Sequence, residues 1–334
     1  MTSLDELFQS LTQPSPGGAN TRFAVVPTKD DLRHLVGKDQ NGFPAILVDA
    51  SSKDGDTLLR VELEHLTVLP DVHCEVEFLD GKHRVGGYTL IRCSGDEELQ
   101  SLFLRLVGGL LQQINPASER AELARVVVKL VDLFRALSLP PRKSVQGLWA
   151  ELFLIAESRN PVVLLEAWHA DPTELYDFSR GHHRLEVKSS SHRSRIHTAT
   201  LDQLYPPIGA VGVIASVVAQ RAAGGSTVDD LAEEISTQLI NRPDLQLKVR
   251  TIVTETLGAD WRLGARTRFD RDEAVQTCSM FLCEDVPRIE LAAVPSGVTH
   301  IRFDVSLDDV QPQTPAAIEL RGGLLEAALP RVAS

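Results

Sequence analysis

Short apolar runs alternate with turn residues between residues 22 and 93, a pattern typical of a small β domain. The runs predicted as strands are RFAVV, PAILVDA, TLLRVEL, CEVEFL and GGYTLIR. Asp80-Gly81 lies between the last two runs and predicts a hairpin turn there. The chain therefore begins with a β-rich segment.

Helical patterns follow this segment. Ser94-x-x-Glu97 is a capping-box pattern and predicts a helix from about Asp96, and a second helix is expected over 118–138. Leu139-Pro140-Pro141 then interrupts the helical pattern, because proline cannot continue a helix and biases its predecessor away from one. We place a domain boundary at this point.

The next segment has the apolar spacing of a helix with one buried face over 144–158, at Val145, Leu148, Trp149, Leu152 and Ala156. Three strand-like runs come next, VVLLEAW, ELYDF and RLEVKSS, followed by a short helix at LDQLY. The apolar run GAVGVIASVVA predicts a buried strand, and Thr227 with Asp230 predicts the start of a further helix. The predicted order is α-β-β-β-α-β and then α.

Strand-like runs continue after Leu245 as QLKVRTIVT, QTCSMFL and THIRFDV, and a short helix is expected near Leu324. The whole pattern predicts an α/β chain. Its expected domains are an N-terminal β-rich domain with a helical connector (1–140), a mixed-sheet core (141–255) and a β-containing C-terminal extension that packs on the core (256–334).

Composition limits the class of protein. The longest apolar run, Gly209–Ala219, is well short of the ~20 residues that a membrane helix needs, so no membrane association is expected. The four cysteines contain no CxxC pair, and the N-terminus lacks a basic and apolar leader, so a cytoplasmic location with reduced thiols is predicted.

Charge is unevenly distributed along the chain. The 34 basic and 46 acidic residues give a net charge of −12, which argues against a protein held to nucleic acid by its overall field. Segment 180–197 is different, because Glu186 is its single acid beside five Lys or Arg residues and four histidines. The histidine spacing matches no standard zinc site, so zinc is the weaker interpretation of these residues.

A group of polar residues in the predicted sheet could carry chemistry. Glu186 and Lys188 are two residues apart in one strand and so share a face, and Asp177 would meet them if the two strands pair antiparallel. Glu151, at the edge of the apolar stripe of the preceding helix, could approach from the side. An exposed charged sheet face remains the alternative interpretation.

Phosphodiester hydrolysis would use these groups with Mg²⁺, or with Mn²⁺ in its place. Carboxylates are the oxygen ligands that Mg²⁺ prefers, so Asp177 and Glu186 are the predicted metal ligands, with the Val187 carbonyl as a third. Lys188 would orient the attacking water or contact the phosphate. We expect Arg193, Arg195, His197 and Gln203 to line the substrate path, with an ordinary surface role as the alternative for each.

The stretches GLWAELFLI, LYDF, LEVKSSSHRSRIHT and LDQL resemble the bacterial family of PD-(D/E)XK motif proteins, within the restriction-endonuclease-like superfamily. The resemblance implies a mixed sheet flanked by helices and a Mg²⁺-dependent nuclease site. Carried onto this chain, the helix acid is Glu151, the metal-binding acids are Asp177 and Glu186, and the lysine is Lys188. Tyr176 stands where the motif usually has proline.

The function expected from this resemblance is a Mg²⁺-dependent DNA endonuclease of a restriction or phage-defence system. Its implied partners are DNA, a methyltransferase and a helicase-like ATPase, and a homodimer is left open. The alternative is a catalytically inactive subunit that uses the same fold to bind DNA or to act as a scaffold. The acidic flanks favour dependence on partner proteins in either case.

Overall fold

The computed structural model describes residues 4–14, 21–28, 33–49, 60–112, 119–169 and 173–331. The chain divides into two compact units, Met1–Arg135 and Ala136–Ser334. The second unit contains the predicted site residues.

The described part of the first unit contains a β-sheet that closes on itself. Its strands are β1 (Thr21–Pro27), β2 (His34–Asp39), β3 (Pro44–Asp49), β4 (Val61–Glu62), β5 (Leu66–Phe78) and β6 (His83–Cys93). The strand order is β1-β2-β3-β6-β5-β4, and a parallel pairing of β1 with β5 closes the sheet. Alternate residues, such as Phe23 and Val25 in β1, point into the apolar interior.

Three helices complete the described part of this unit: α1 (Leu4–Gln9), α2 (Glu97–Leu111) and α3 (Glu119–Ala136). The expected capping box at Ser94 is wrong, because Asp96 is the residue whose side chain caps α2, by accepting a hydrogen bond from the Leu99 N–H at 3.1 Å. The predicted hairpin turn at Asp80-Gly81 is present, and Gly81 has a φ of 79°, which favours glycine. In the predicted strand TLLRVEL, residues 57–59 lie outside the described residues.

The second unit is built around a mixed four-stranded sheet. The strands of this unit are β7 (Phe178–Arg180), β8 (His183–Ser190), β9 (Ile196–Thr200), β10 (Val211–Val218), β11 (Arg221–Ser226), β12 (Ser279–Leu282) and β13 (Arg302–Ser306). The sheet order is β12-β10-β8-β7, in which β8 and β10 are parallel and the outer pairs are antiparallel, while β9 pairs with β13. Because β12 belongs to this sheet, the sheet extends beyond the expected core boundary at 255.

The helices of this unit are α4 (Val145–Glu157), α5 (Pro161–Ala167), α6 (Leu201–Leu204), α7 (Val228–Gln238), α8 (Pro243–Leu257), α9 (Trp261–Arg266), α10 (Arg271–Thr277), α11 (Pro315–Glu319) and α12 (Gly323–Ala327). Two short 3₁₀ turns lie at Gly258–Asp260 and Leu291–Ala293. One face of β8, with Leu185 and Val187, packs into the main core with helices including α4 and α7. The opposite face carries Glu186, and Ile214 beside it belongs to a smaller apolar cluster.

Two predicted strands of this unit are helices. The run VVLLEAW lies in α5, where Asn160 caps the first turn and Pro161 occupies the first helical position. The run QLKVRTIVT lies in α8, which likewise begins with a proline, and its buried positions recur at helical spacing, at Leu245, Val249, Ile252, Val253 and Leu257. In short buried runs rich in Val and Ile, periodicity does not distinguish a strand from a helix. The proline at the start of each run is a helix start signal and favours a helix. The three strands that follow α4 and precede α6 are therefore β7, β8 and β9, with β9 as the strand that the prediction did not include.

Candidate active site

Asp177 and Glu186 are brought together by the antiparallel pairing of β7 with β8. Phe178 pairs with Leu185, and the next step outward sets Asp177 opposite Glu186. The Asp177 N–H donates to Glu186 Oε2 at 3.3 Å, and the Val187 N–H donates to Asp177 Oδ2 at 2.8 Å. Both carboxylates are buried, and each is oriented by one backbone donor, from the residue just before β7 for Glu186 and from β8 for Asp177.

Glu151 approaches the pair from α4, a helix that begins at the Ser144 cap and is buried along almost its whole length. The Trp168 indole N–H donates to Glu151 Oε2 at 2.7 Å. Glu151 is 3% exposed, so its carboxylate needs partners inside the protein. Trp168 supplies one of them and fixes which oxygen remains available.

Lys143 is a member of this cluster that sequence reasoning missed. Its ammonium donates to Glu151 Oε1 at 2.7 Å and also to Asp177 Oδ1, so it bridges the two acids. Lys143 precedes Glu151 by eight residues but lies in the turn before the Ser144 cap, outside α4, so helical spacing does not relate the two. Its contact with Asp177 depends on tertiary structure and has no local pattern.

Lys188 and Gln203 hold Glu186. The Lys188 ammonium lies 2.8 Å from Glu186 Oε1, and the Gln203 amide N–H donates to the same oxygen at 2.8 Å. Gln203 Oε1 in turn accepts from Lys188 Nζ at 3.2 Å and from the Thr200 N–H, as part of a capping box that starts α6. Gln203 therefore positions both members of the Glu186–Lys188 pair.

Burial raises the pKa of two of the acids. The pKa of Glu151 is raised to about 8, first by burial and then by the negative charge of Asp177, against the opposing effect of Lys143. The pKa of Glu186 is raised to about 7 by the same two causes, against Lys188 and Lys143. Burial lowers the pKa of Lys143, but Glu151 and Asp177 outweigh it and the net shift is upward. Both shifts have the same physical origin, the cost of burying neighbouring negative charges in one site.

The other three predicted substrate residues contact different parts of the unit. Arg193 is exposed and makes a two-point ion pair with Glu273, at 2.8 and 3.1 Å. Arg195 donates to the Ser216 carbonyl and hydroxyl oxygens, to Ser279 Oγ and to the Thr277 carbonyl. His197 is buried with Nε2 2.8 Å from Ser216 Oγ. Of the four residues expected on the substrate path, Gln203 is the one that contacts the carboxylates.

The donor chemistry of the site fits a hard divalent cation. Asp177, Glu186 and the Val187 carbonyl are all oxygen ligands, and the N–H and C=O of one strand residue point to the same side, so the Val187 carbonyl faces the Asp177 side of β8. Among the residues that the structure describes, no three His, Cys, Asp or Glu side chains form a group that could hold a metal ion. A cation would therefore be held by two carboxylates with a carbonyl and waters, as Mg²⁺ commonly is.

Glu151 lies in α4, Asp177 immediately precedes β7, and Glu186 and Lys188 lie two residues apart in β8. This order of residues is the one expected of a PD-(D/E)XK motif. The family model described as "Putative PD-(D/E)XK family member, (DUF4420)" matches residues 4–308. The chain belongs to this family, and its α/β fold is the expected one. Membership indicates a nuclease-type function, and nucleases of this kind generally use divalent metals. No curated protein and no solved structure matched the chain.

A search of the described helices for membrane spans found none with the length and apolar character needed to cross a bilayer.

Proposed function

We propose that the protein is a Mg²⁺-dependent DNA endonuclease that hydrolyses phosphodiester bonds in a restriction or phage-defence system. The observation that supports this most is the meeting of Asp177, Glu186 and Lys188 at the end of β7, with Glu151 held beside them. Each of the three buried carboxylates costs desolvation energy, and acids whose pKa is perturbed in this way are concentrated at functional sites.

Asp177, Glu186 and the Val187 carbonyl would hold the metal, which when bound lowers the pKa of a ligated water and offsets negative charge developing at the phosphate. Lys188 would orient that water or contact the phosphate. Gln203 keeps Lys188 and Glu186 in place, and Glu151 adds negative charge near the cation.

Partner proteins are part of this proposal. The net charge of −12 repels a phosphate backbone, so weak DNA binding by the isolated chain is expected. The resemblance to defence-associated proteins favours a helicase-like ATPase and a methyltransferase as partners. A cytoplasmic location follows from the same proposal.

The second candidate is an inactive subunit that uses the fold for DNA binding or as a scaffold. Lys143 favours it, because its ammonium already neutralises Glu151 and Asp177 without a metal. In that case the cluster would be a structural set of ion pairs.

A cleavage assay with a matched control separates the two candidates. The chain contains a second acid-x-Lys triplet, Asp80-Gly81-Lys82, whose lysine lies 2.7 Å from Asp80 at an exposed hairpin. Wild type, Lys188→Ala and Lys82→Ala would be compared on double-stranded DNA with partners supplied and with Mg²⁺, Mn²⁺ or Ca²⁺. The nuclease proposal expects cleavage with Mg²⁺ and Mn²⁺ but not Ca²⁺, retained by Lys82→Ala and lost by Lys188→Ala. Equal behaviour of wild type and Lys188→Ala would favour the scaffold.

A further inference from the structure

Lys143 occupies the place that a cation shared by Glu151 and Asp177 would take. Each of these carboxylates has one oxygen tied to a structural donor: Trp168 Nε1 bonds Glu151 Oε2 at 2.7 Å, and the Val187 N–H bonds Asp177 Oδ2 at 2.8 Å. The remaining oxygens, Glu151 Oε1 and Asp177 Oδ1, both bind the Lys143 ammonium. The acids are thus oriented toward one shared positive charge.

The two lysines of the site are held very differently. The Lys188 side chain is 17% exposed and is fixed by Glu186 and Gln203. The Lys143 side chain is 40% exposed and lies in the turn just before the Ser144 cap of α4. A lysine ammonium is a strongly hydrated charge on a flexible stem, so the partly exposed Lys143 can turn to solvent once another cation takes its place beside the carboxylates.

The backbone around Lys143 does not need to move for this. The Arg142 N–H donates to the Thr256 carbonyl at 2.8 Å on one side, and Ser144 caps α4 on the other. Rotation of the Lys143 side chain alone would free Oδ1 of Asp177 and Oε1 of Glu151. The two oxygens would then face an unneutralised space, which a divalent cation would fill more favourably than water.

We propose that Lys143 is a displaceable cation that neutralises Glu151 and Asp177 in the metal-free protein and must leave Asp177 when a divalent metal binds. This inference rests on the proposed metal site but concerns binding rather than cleavage. The competing ammonium lowers the affinity of the site for metal, because each metal bound must break the two lysine contacts. Lys143 thereby sets the metal concentration at which the site fills.

Metal binding to the full-length chain tests the competition. Mn²⁺ affinity would be measured by calorimetry for wild type, Lys143→Met, Lys143→Arg and the control Lys82→Met. Lys143→Met is expected to bind Mn²⁺ about tenfold more tightly, because the competing charge is gone. Lys143→Arg keeps a cation and should not gain affinity, and Lys82→Met should match wild type. Unchanged or weaker binding by Lys143→Met would overturn the proposal.

Lysine labelling tests displacement in the wild-type chain and needs no variant to fold. An amine-acylating reagent would be applied with EDTA or with saturating Mn²⁺, and modification of each lysine read by mass spectrometry. Lys143 should become several-fold more reactive with Mn²⁺ while Lys82 stays constant. Mn²⁺ bound with no change at Lys143 would refute displacement and leave the nuclease proposal standing. Lys143 released by Mn²⁺ in a protein that cuts no substrate would support displacement and count against the nuclease.

Discussion

Two buried polar networks lie on neighbouring strands of the second unit. The carboxylate cluster comprises Glu151, Asp177 and Glu186 with Lys143 and Lys188. The arginine network comprises Arg195, His197 and Ser216, and Ser216 in β10 pairs directly with Lys188 in β8. Burial pushes both toward neutrality: it raises the pKa of Glu151 and Glu186 and lowers the pKa of Arg195 and His197.

The networks differ in how completely they are satisfied. The Arg195 guanidinium donates to two main-chain carbonyls and two hydroxyls, all of which are neutral acceptors. The carboxylate cluster instead carries three acids against two lysines, one of which, Lys143, is partly exposed to solvent. A saturated network stabilises a fold, whereas an acid-rich one with a movable cation is able to accept a ligand. We therefore assign the proposed chemistry to the carboxylate cluster and a structural role to the arginine network.

The largest expected effect is on cleavage in the carboxylate cluster. Asp177→Asn keeps an oxygen that can accept from the Val187 N–H but removes the charge that a metal needs, so cleavage should fall about a thousandfold or more while the fold remains. Cleavage rates and circular dichroism measure the two effects. Asp177→Asn cutting at the wild-type rate would remove Asp177 from the mechanism.

The arginine network should show the opposite behaviour. Arg195→Met removes the guanidinium donor from the carbonyl and hydroxyl oxygens of Ser216, so the free energy of unfolding should fall by about 3 kcal/mol. Cleavage per folded molecule at low temperature should be unchanged. Chemical denaturation and active-site-normalised rates provide the measurement, and a stable but inactive Arg195→Met would assign Arg195 to the site as the sequence pattern suggested.

His197 gives this network a pH dependence. Its pKa is lowered to about 4 by burial, then by Lys188 and Arg195, from the ordinary histidine value of about 6.5 expected in the unfolded chain. The unfolded state therefore binds the proton first, so stability is complete above about pH 6.5 and is lost as pH falls toward 4. Unfolding free energy should drop on the order of 2 kcal/mol by pH 4.5 in wild type. A shallower acid limb for His197→Asn is expected, and identical limbs would show that other groups cause the loss.

The smallest effect is expected at Arg193, which is exposed and paired with Glu273. If Arg193 contacts a DNA phosphate, Arg193→Ala should weaken DNA binding a few-fold and reduce the salt slope of log K by about one, with no change in thermal stability. Glu273→Gln frees the arginine and should strengthen binding. Binding titrations at several salt concentrations test the pair, and two variants that shift affinity in the same direction would argue against the phosphate contact.

Sequence reasoning reached the part of the site that depends on local periodicity. Two-residue alternation set Glu186 and Lys188 on one face, and the antiparallel pairing of β7 with β8 brought Asp177 opposite Glu186. Arg195 and His197 were assigned to the substrate path from the basic stretch 180–197, and in the structure both contact Ser216. Lys143 was out of reach, since it meets Asp177 across 34 residues of chain.

The elements of the fold that could be predicted were also those with a clear local sequence pattern. The buried strand β10 and the capped start of α7 were predicted from their own residues. The helices α5 and α8 were missed because their Val- and Ile-rich runs resemble strands, although Asn160-Pro161 and Arg242-Pro243 signalled helix starts. For α5 and α8, the proline at the helix start was therefore a better guide to the structure than the Val and Ile content of the run.

Diffraction from Mn²⁺-soaked crystals, recorded at a wavelength where manganese scatters anomalously, tests the central claim most directly. We expect an anomalous peak in contact with Asp177 and Glu186, close to the Val187 carbonyl, with the Lys143 ammonium moved away from Asp177. No peak at saturating Mn²⁺, with Lys143 still bridging Glu151 and Asp177, would show that the carboxylate cluster is a structural set of ion pairs and contradict the account.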